Sequence, residues 1–132
     1  MKHLLFVYGK LRRGGGLPMS INFPNSKFIA NAKVPGRLYD LGPYPGLLLG
    51  ESNSTAVGEV HEVDDEILNK LDEIEGSSEY WRKQIEVSVG AERRMCWIYL
   101  PDHDAEFYAD RTLIASGDWI EYSQTKTIDA NL

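Results

Sequence analysis

One cysteine, Cys96, stands in a chain of 132 residues. An intramolecular disulfide is therefore impossible, and a reducing interior is the default expectation. Positive charge is also scarce: 14 Lys and Arg against 20 Asp and Glu leave a formal net charge of -6. That balance argues against a nucleic-acid surface. Long hydrophobic runs are missing as well. The apolar stretch Leu4 to Tyr8 is too short for a signal peptide and far too short to span a bilayer. The expectation is a cytoplasmic protein with no membrane partner. There is no repeat and no low-complexity segment. With 42% apolar and 26% charged residues, the chain reads as a single domain over residues 1–132. Its core should lie at about 3–122, with the last ten residues frayed.

Against this acidic background, one stretch organises the rest: Phe6-Val7-Tyr8-Gly9-Lys10-Leu11-Arg12-Arg13-Gly14-Gly15-Gly16. An apolar run breaks at Gly9 into a basic, glycine-rich loop. A strand emptying into such a loop leaves backbone N–H groups without ladder partners, and successive N–H groups form a concave nest for an anion. Lys10, Arg12 and Arg13 make one local basic patch, compatible with an anionic small molecule. The plainer alternative is a flexible glycine loop with two solvated arginines.

Leu4 to Tyr8 reads as a strand buried on both faces, being apolar without alternation. Leu17, Ile21 and Phe23 suggest a short turn capping the core. Lys27 to Asp40 reads as a long bent strand, with Pro35-Gly36 marking an edge or bulge. Gly42-Pro43-Tyr44-Pro45-Gly46 is a stiff turn, and strands follow at Leu47 to Leu49 and Thr55 to Val63. Asp64 to Glu75 is the clearest helix, with Asp64 as N-cap, Gly76 as stop, and Ile67, Leu68, Leu71 and Ile74 on one apolar face. Tyr80 to Val89 alternates, with Trp81, Ile85, Val87 and Val89 facing one way. Gly90-Ala91-Glu92 fits a hairpin turn, and Arg94 to Leu100 is the return strand. Ser116-Gly117-Asp118-Trp119 reads as a turn anchoring Trp119 as a hydrophobic peg. The expected fold class is α+β: a small mixed, barrel-like β-sheet with one main helix and short flanking helices.

The usual signatures of chemistry are mostly missing. Gly9-Lys10 is followed by Leu11, which does not complete a phosphate-binding loop, and Gly14-Gly15-Gly16 leads to Leu17-Pro18 rather than to a dinucleotide-binding helix. His3, His61 and His103 are scattered, so no metal site is expected. No Gly-x-Ser-x-Gly elbow is present. Cys96, between Met95 and Trp97, reads as a small core residue. Glu75 is the one unusual acid. At about 100° per residue it projects between Leu68 and Leu71, inside the apolar stripe and at the negative end of the helix dipole. Desolvation and dipole would both raise its pKa toward the range of a general base. From periodicity alone, a last-turn glutamate fraying into water carries more weight, because helix ends are poorly defined by pattern.

Several short segments change that balance. They are Tyr8-Gly9-Lys10-Leu11-Arg12, Gly36-Arg37-Leu38-Tyr39-Asp40 with Tyr44-Pro45, Gly58-Glu59-Val60, and Leu71-Asp72-Glu73-Ile74-Glu75-Gly76 followed by Tyr80 and Arg82. Each is weakly specific, but in this order over roughly residues 4–122 the set resembles the γ-glutamylcyclotransferase-like family. More narrowly, it is similar to the γ-glutamylamine cyclotransferase and plant avirulence-induced branch. The resemblance implies a barrel-like sheet with flanking helices and one pocket. It also implies a small-molecule γ-glutamyl substrate held by Tyr8, Gly9, Lys10 and Leu11, catalysis by Glu75, and no metal or cofactor. The third loop position, commonly Thr or Ser in the family, is Lys10 here. A binding module holding a carboxylate ligand in the same pocket, without turnover, is the competing expectation.

Overall fold

The computed structural model describes residues 1–130, with side chains described for residues 1–126. Seven strands run β1 (Lys2–Val7), β2 (Lys27–Asp40), β3 (Pro45–Leu49), β4 (Thr55–Asp64), β5 (Tyr80–Val89), β6 (Glu92–Pro101) and β7 (Thr112–Leu113). Four helices, α1 (Met19–Asn22), α2 (Asp65–Gly76), α3 (Ala105–Tyr108) and α4 (Trp119–Ala130), complete the chain. No helix among the described residues is long and apolar enough to cross a membrane.

The sheet is mixed and curled, in the order β3-β2-β4-β1-β6-β5, with β7 pairing β2. β1 sits in the middle, antiparallel to β4 and parallel to β6 at Leu5 and Trp97. The expectation that β1 is covered on both faces holds: Leu5, Phe6 and Val7 are 0%, 1% and 3% exposed. Phe6 and Tyr8 enter the core inside the curl, with Val34, Leu47, Val60, Val87, Ile98 and Trp119. Leu5 and Val7 enter a second core, beneath α2 and α1, with Met19, Val63, Ile67, Leu68, Leu71 and Tyr99. Apolar burial on both sides of β1 fixes where that strand ends, and therefore where the following loop begins.

β2 spans Lys27–Asp40 as expected, but Pro35-Gly36 is a change of partner rather than a bulge. Pairing with β4 ends at Pro35, opposite Thr55, and pairing with β3 begins at Gly36, opposite Leu49. The bulge lies between Phe28 and Ala30. In α2, the Asp64 carboxylate accepts the Ile67 N–H at 2.9 Å, the expected N-cap. Gly76 is the last helical residue, and the chain turns instead at Glu79, whose φ is 64°. Ile74 is 36% exposed, so the buried stripe is Ile67, Leu68, Leu71 and Glu75.

Three further expectations are corrected. Ile21 is 75% exposed, and Met19 plugs the core in its place. Trp81, on the edge strand β5, is 56% exposed. The tail expected to fray, residues 123–132, is helical to Ala130, while residues 131 and 132 lie outside the described residues. This second 12-residue helix is held by Asp118, which accepts the Glu121 N–H. Tyr122 and Lys126 also donate to Asp40. Such partners come from distant segments, and local propensity does not record them.

The turn into α4 requires a glycine. Gly117 has φ +69°, and an added Cβ would stand 1.8 Å from the Thr55 carbonyl oxygen. Gly117→Ala should cost on the order of 2–4 kcal/mol of stability, read by urea titration. A loss below about 0.5 kcal/mol, the usual range of an inconsequential surface change, would show that the turn relaxes freely.

Candidate active site

Five elements converge at one end of the curl around an open-mouthed cavity. β1 and the loop after it bring Tyr8, Gly9, Lys10 and Leu11, and α2 brings Glu75. The turn into β3 brings Tyr44 and Pro45, β5 brings Tyr80, and β6 brings Tyr99. Every residue singled out in the sequence as catalytic or substrate-binding lines this one cavity. Gly9 packs tightly there: an added Cβ would lie 3.1 Å from the Pro45 ring. The amides of Gly9, Lys10 and Leu11 donate to no backbone acceptor among the described residues, which leaves them available to a ligand.

The loop's basic residues do not act as one patch. Arg12 is buried, and its Nη1 donates to Asp118 at 2.8 Å. Arg13 is half-exposed, donates to Asn31 at 3.1 Å and lies over the Phe28 ring at 4.0 Å. Beneath both sits Glu59, 2% exposed, whose two oxygens accept the Arg13 backbone N–H at 3.2 and 3.1 Å. The His61 Nε2 lies 3.0 Å from the same carboxylate. Burial works to raise the Glu59 pKa, but the His61 contact and the Arg13 amide outweigh it and hold the group below its ordinary value. At Asp118, burial is likewise outweighed by the bonds from Arg12 and the Glu121 amide. The alternative of two solvated arginines fails for Arg12, which is buried, and holds in part for Arg13, which stays half-exposed; Lys10 alone of the three lines the cavity.

Glu75 is 6% exposed and does not fray into water. Its Oε1 lies 3.6 Å from Lys10 Nζ. Desolvation raises its pKa, and Lys10 opposes that shift only in part. The surrounding phenols donate to fixed acceptors. Tyr8 donates to the Tyr99 carbonyl at 2.7 Å, Tyr80 to the Pro45 carbonyl at 2.6 Å, and Tyr99 to Asp72 at 2.8 Å. Burial pushes all three phenols upward, so they stay neutral. Glu75 is the one carboxylate lining this cavity, and desolvation holds its pKa above the ordinary value, the direction that suits a general base. Arg82 holds Asp72 at 2.9 and 3.1 Å and lies over Trp97 at 4.4 Å. Cys96 is buried in its strand, with its thiol pushed up to about 11 by desolvation.

Sequence reasoning missed Tyr99 and the role of Glu59. Tyr99 alternates with Ile98 in β6, and a phenol amid apolar strand residues is a faint sign of a buried hydroxyl with a partner. An acid within the apolar alternation of β4, in a chain carrying an arginine pair, was the corresponding sign for Glu59.

A cavity lined by one desolvated carboxylate and one facing cation is the kind of site that small-molecule enzymes use. The chain belongs to the gamma-glutamyl cyclotransferase, AIG2-like family, whose profile matches residues 5–121. It is 36% identical over 130 residues to a Vibrio cholerae protein named as a candidate gamma-glutamylcyclotransferase, covering 92% of this chain and 98% of that one. It is 31% identical to the gamma-L-glutamyl-butirosin B gamma-glutamyl cyclotransferase of Niallia circulans, covering 89% of this chain and 76% of the relative. The crystal structure of YkqA from Bacillus subtilis is also similar, with a TM-score of 0.76 and 27% identity. The match covers 96% of this chain and 43% of YkqA.

The raised Glu75 pKa has a consequence for stability. Between the group's ordinary value of 4.5 and its higher folded value, the folded state keeps a proton that the unfolded chain has released. Stability therefore falls as pH rises through that window. Glu75→Gln removes this titration, and Lys10 retains access to water (30% side-chain exposure). In urea titrations from pH 4 to 8, the variant should gain on the wild type as pH rises and level off above the window. A pH-independent difference would show that Glu75 is not desolvated.

Proposed function

We propose that this protein is a γ-glutamylcyclotransferase with Glu75 as general acid and base. It closes the γ-glutamyl group of an amine or peptide into 5-oxoproline and releases the free amine. The observation that carries this reading is the buried Glu75 carboxylate opening onto the cavity that the Tyr8 to Leu11 turn also lines.

The γ-carbonyl oxygen of the substrate lies against the free amides of the turn, and its α-ammonium faces Glu75. Glu75 takes a proton from the ammonium, and the freed nitrogen attacks the γ-carbon of the same molecule. As the tetrahedral centre collapses, Glu75 returns the proton to the departing amine, then takes the second proton from the ring nitrogen and passes it on, so that the amine leaves as an ammonium. Because attack is intramolecular, the wall need only fold the substrate into a near-attack shape. Amides aimed at the developing oxyanion contribute about 3 kcal/mol for one good donor. A carboxylate with a raised pKa suits both proton steps, since it accepts readily and gives back readily near neutral pH. The Niallia circulans relative, whose name places a γ-glutamyl group on butirosin B, supports a site in which the leaving amine can vary.

Glu75→Gln keeps the shape and removes the base. Release of 5-oxoproline from a γ-glutamylamine should fall by about 10²–10⁴-fold. In the wild type, kcat/KM should rise with pH along an acid limb displaced above 4.5, the ordinary value for this group. A Gln variant as fast as the wild type would remove Glu75 from the reaction.

A further inference from the structure

The cyclotransferase reading leaves the side chain of Lys10 without a role. A role in substrate choice rests on that reading and deepens it. Lys10 is the one cation on the cavity wall among the described residues. Its Nζ stands 3.6 Å from Glu75 Oε1, beyond the length of a good hydrogen bond. Of the other polar side chains lining the cavity, the phenols of Tyr8, Tyr80 and Tyr99 each donate to a fixed acceptor, and Tyr44 and Ser78 add two neutral hydroxyls. Arg12 and Arg13 are held away by Asp118, Glu59 and Asn31. The cavity thus presents one cation beside one anion, loosely paired and with few competing contacts.

An α-amino acid carries the same two charges at nearly the same spacing. Three covalent bonds separate its ammonium nitrogen from a carboxylate oxygen, which places them roughly 3 Å apart. Laid against the wall in opposite order, such a zwitterion exchanges one loose protein pair for two closer ones, α-ammonium on Glu75 and α-carboxylate on Lys10. Both pairs lie in a partly desolvated site, where charge-assisted hydrogen bonds are strong.

We propose that Lys10 is the specificity-determining residue for the free α-amino-acid end of the γ-glutamyl group, its ammonium leaving Glu75 to take the substrate's α-carboxylate. With Lys10 drawn to the α-carboxylate, Glu75 loses part of its counter-charge and becomes a stronger base. The α-ammonium proton then passes to Glu75. The nitrogen lone pair forms the N–C bond to the γ-carbon, the C–N bond to the leaving amine breaks, and that amine takes the proton from Glu75. The ring nitrogen then gives its second proton to the regenerated Glu75 carboxylate, which passes it on so that the amine departs as an ammonium. A substrate without the α-carboxylate leaves Lys10 on Glu75 and keeps the base weak.

The test compares two amides of one simple primary amine: the γ-glutamyl amide and the 4-aminobutyryl amide. The second lacks only the α-carboxylate and cyclises to 2-pyrrolidinone. Wild-type kcat/KM should favour the γ-glutamyl amide by about 100-fold or more, the scale of a truncated buried charge pair. Lys10→Met should remove most of that preference by slowing the γ-glutamyl amide selectively, and Lys10→Arg should restore much of it. If Lys10→Met keeps the wild-type preference, or slows both amides equally, Lys10 merely balances the charge of Glu75 and the proposal is overturned. If the wild type cyclises neither amide, the cyclotransferase reading falls first and the role of Lys10 falls with it.

Discussion

The bond between the Glu59 carboxylate and the Arg13 backbone N–H is the constraint on which the site depends. A carboxylate 2% exposed on the middle of β4 is costly unless its oxygens are occupied. Here they are occupied from above, by the amide at 3.2 and 3.1 Å, and from the side, by His61 at 3.0 Å. The turn from Gly9 to Arg13 is thereby fixed over the end of β1. Arg12 is drawn to Asp118 and so to the start of α4. With both arginines engaged on one side, the single remaining cation falls on the other, next to Glu75.

The opposite wall is set by phenols acting as struts. Tyr8 ties β1 to β6 through the Tyr99 carbonyl, and Tyr80 ties β5 to β3 through the Pro45 carbonyl. Tyr99 ties β6 to α2 through Asp72, a carboxylate also held by Arg82. Each strut is apolar along its body, so it excludes water from Glu75 while keeping its own hydroxyl paired. These phenols help keep the Glu75 carboxylate largely out of water. That carboxylate is a local cost to the fold, of the sort that functional sites tolerate and well-paired surroundings offset.

Much of the scaffold was legible because its cause is local. Alternation in Tyr80 to Val89, the Asp64 cap and the Ile67, Leu68 and Leu71 stripe each act through neighbours within a turn or two. Expectations failed where a distant partner decided the outcome. The C-terminal segment is helical where docking to Asp40 supports it. The site divides along the same line. Residues 8–11 and Glu75 could be nominated from the residue pattern and its resemblance to a family. Tyr99 and Glu59 could not, since a strand tyrosine and a strand glutamate look alike whether they face water or a partner.

Residue pattern by itself determined that one acid of α2 shares a face with its apolar residues, and that a glycine break follows the first buried strand. Both are consequences of chain geometry over a few residues. Only the tertiary structure decided that this acid is dry, that it faces that break across a cavity, and that Lys10 rather than Arg12 or Arg13 stands beside it. Those outcomes depend on which charges become mutual partners over separations of 46 and 106 residues, as with Arg13 to Glu59 and Arg12 to Asp118. Pairing of that kind is settled by packing, because a buried charge goes wherever a counter-charge has been buried with it.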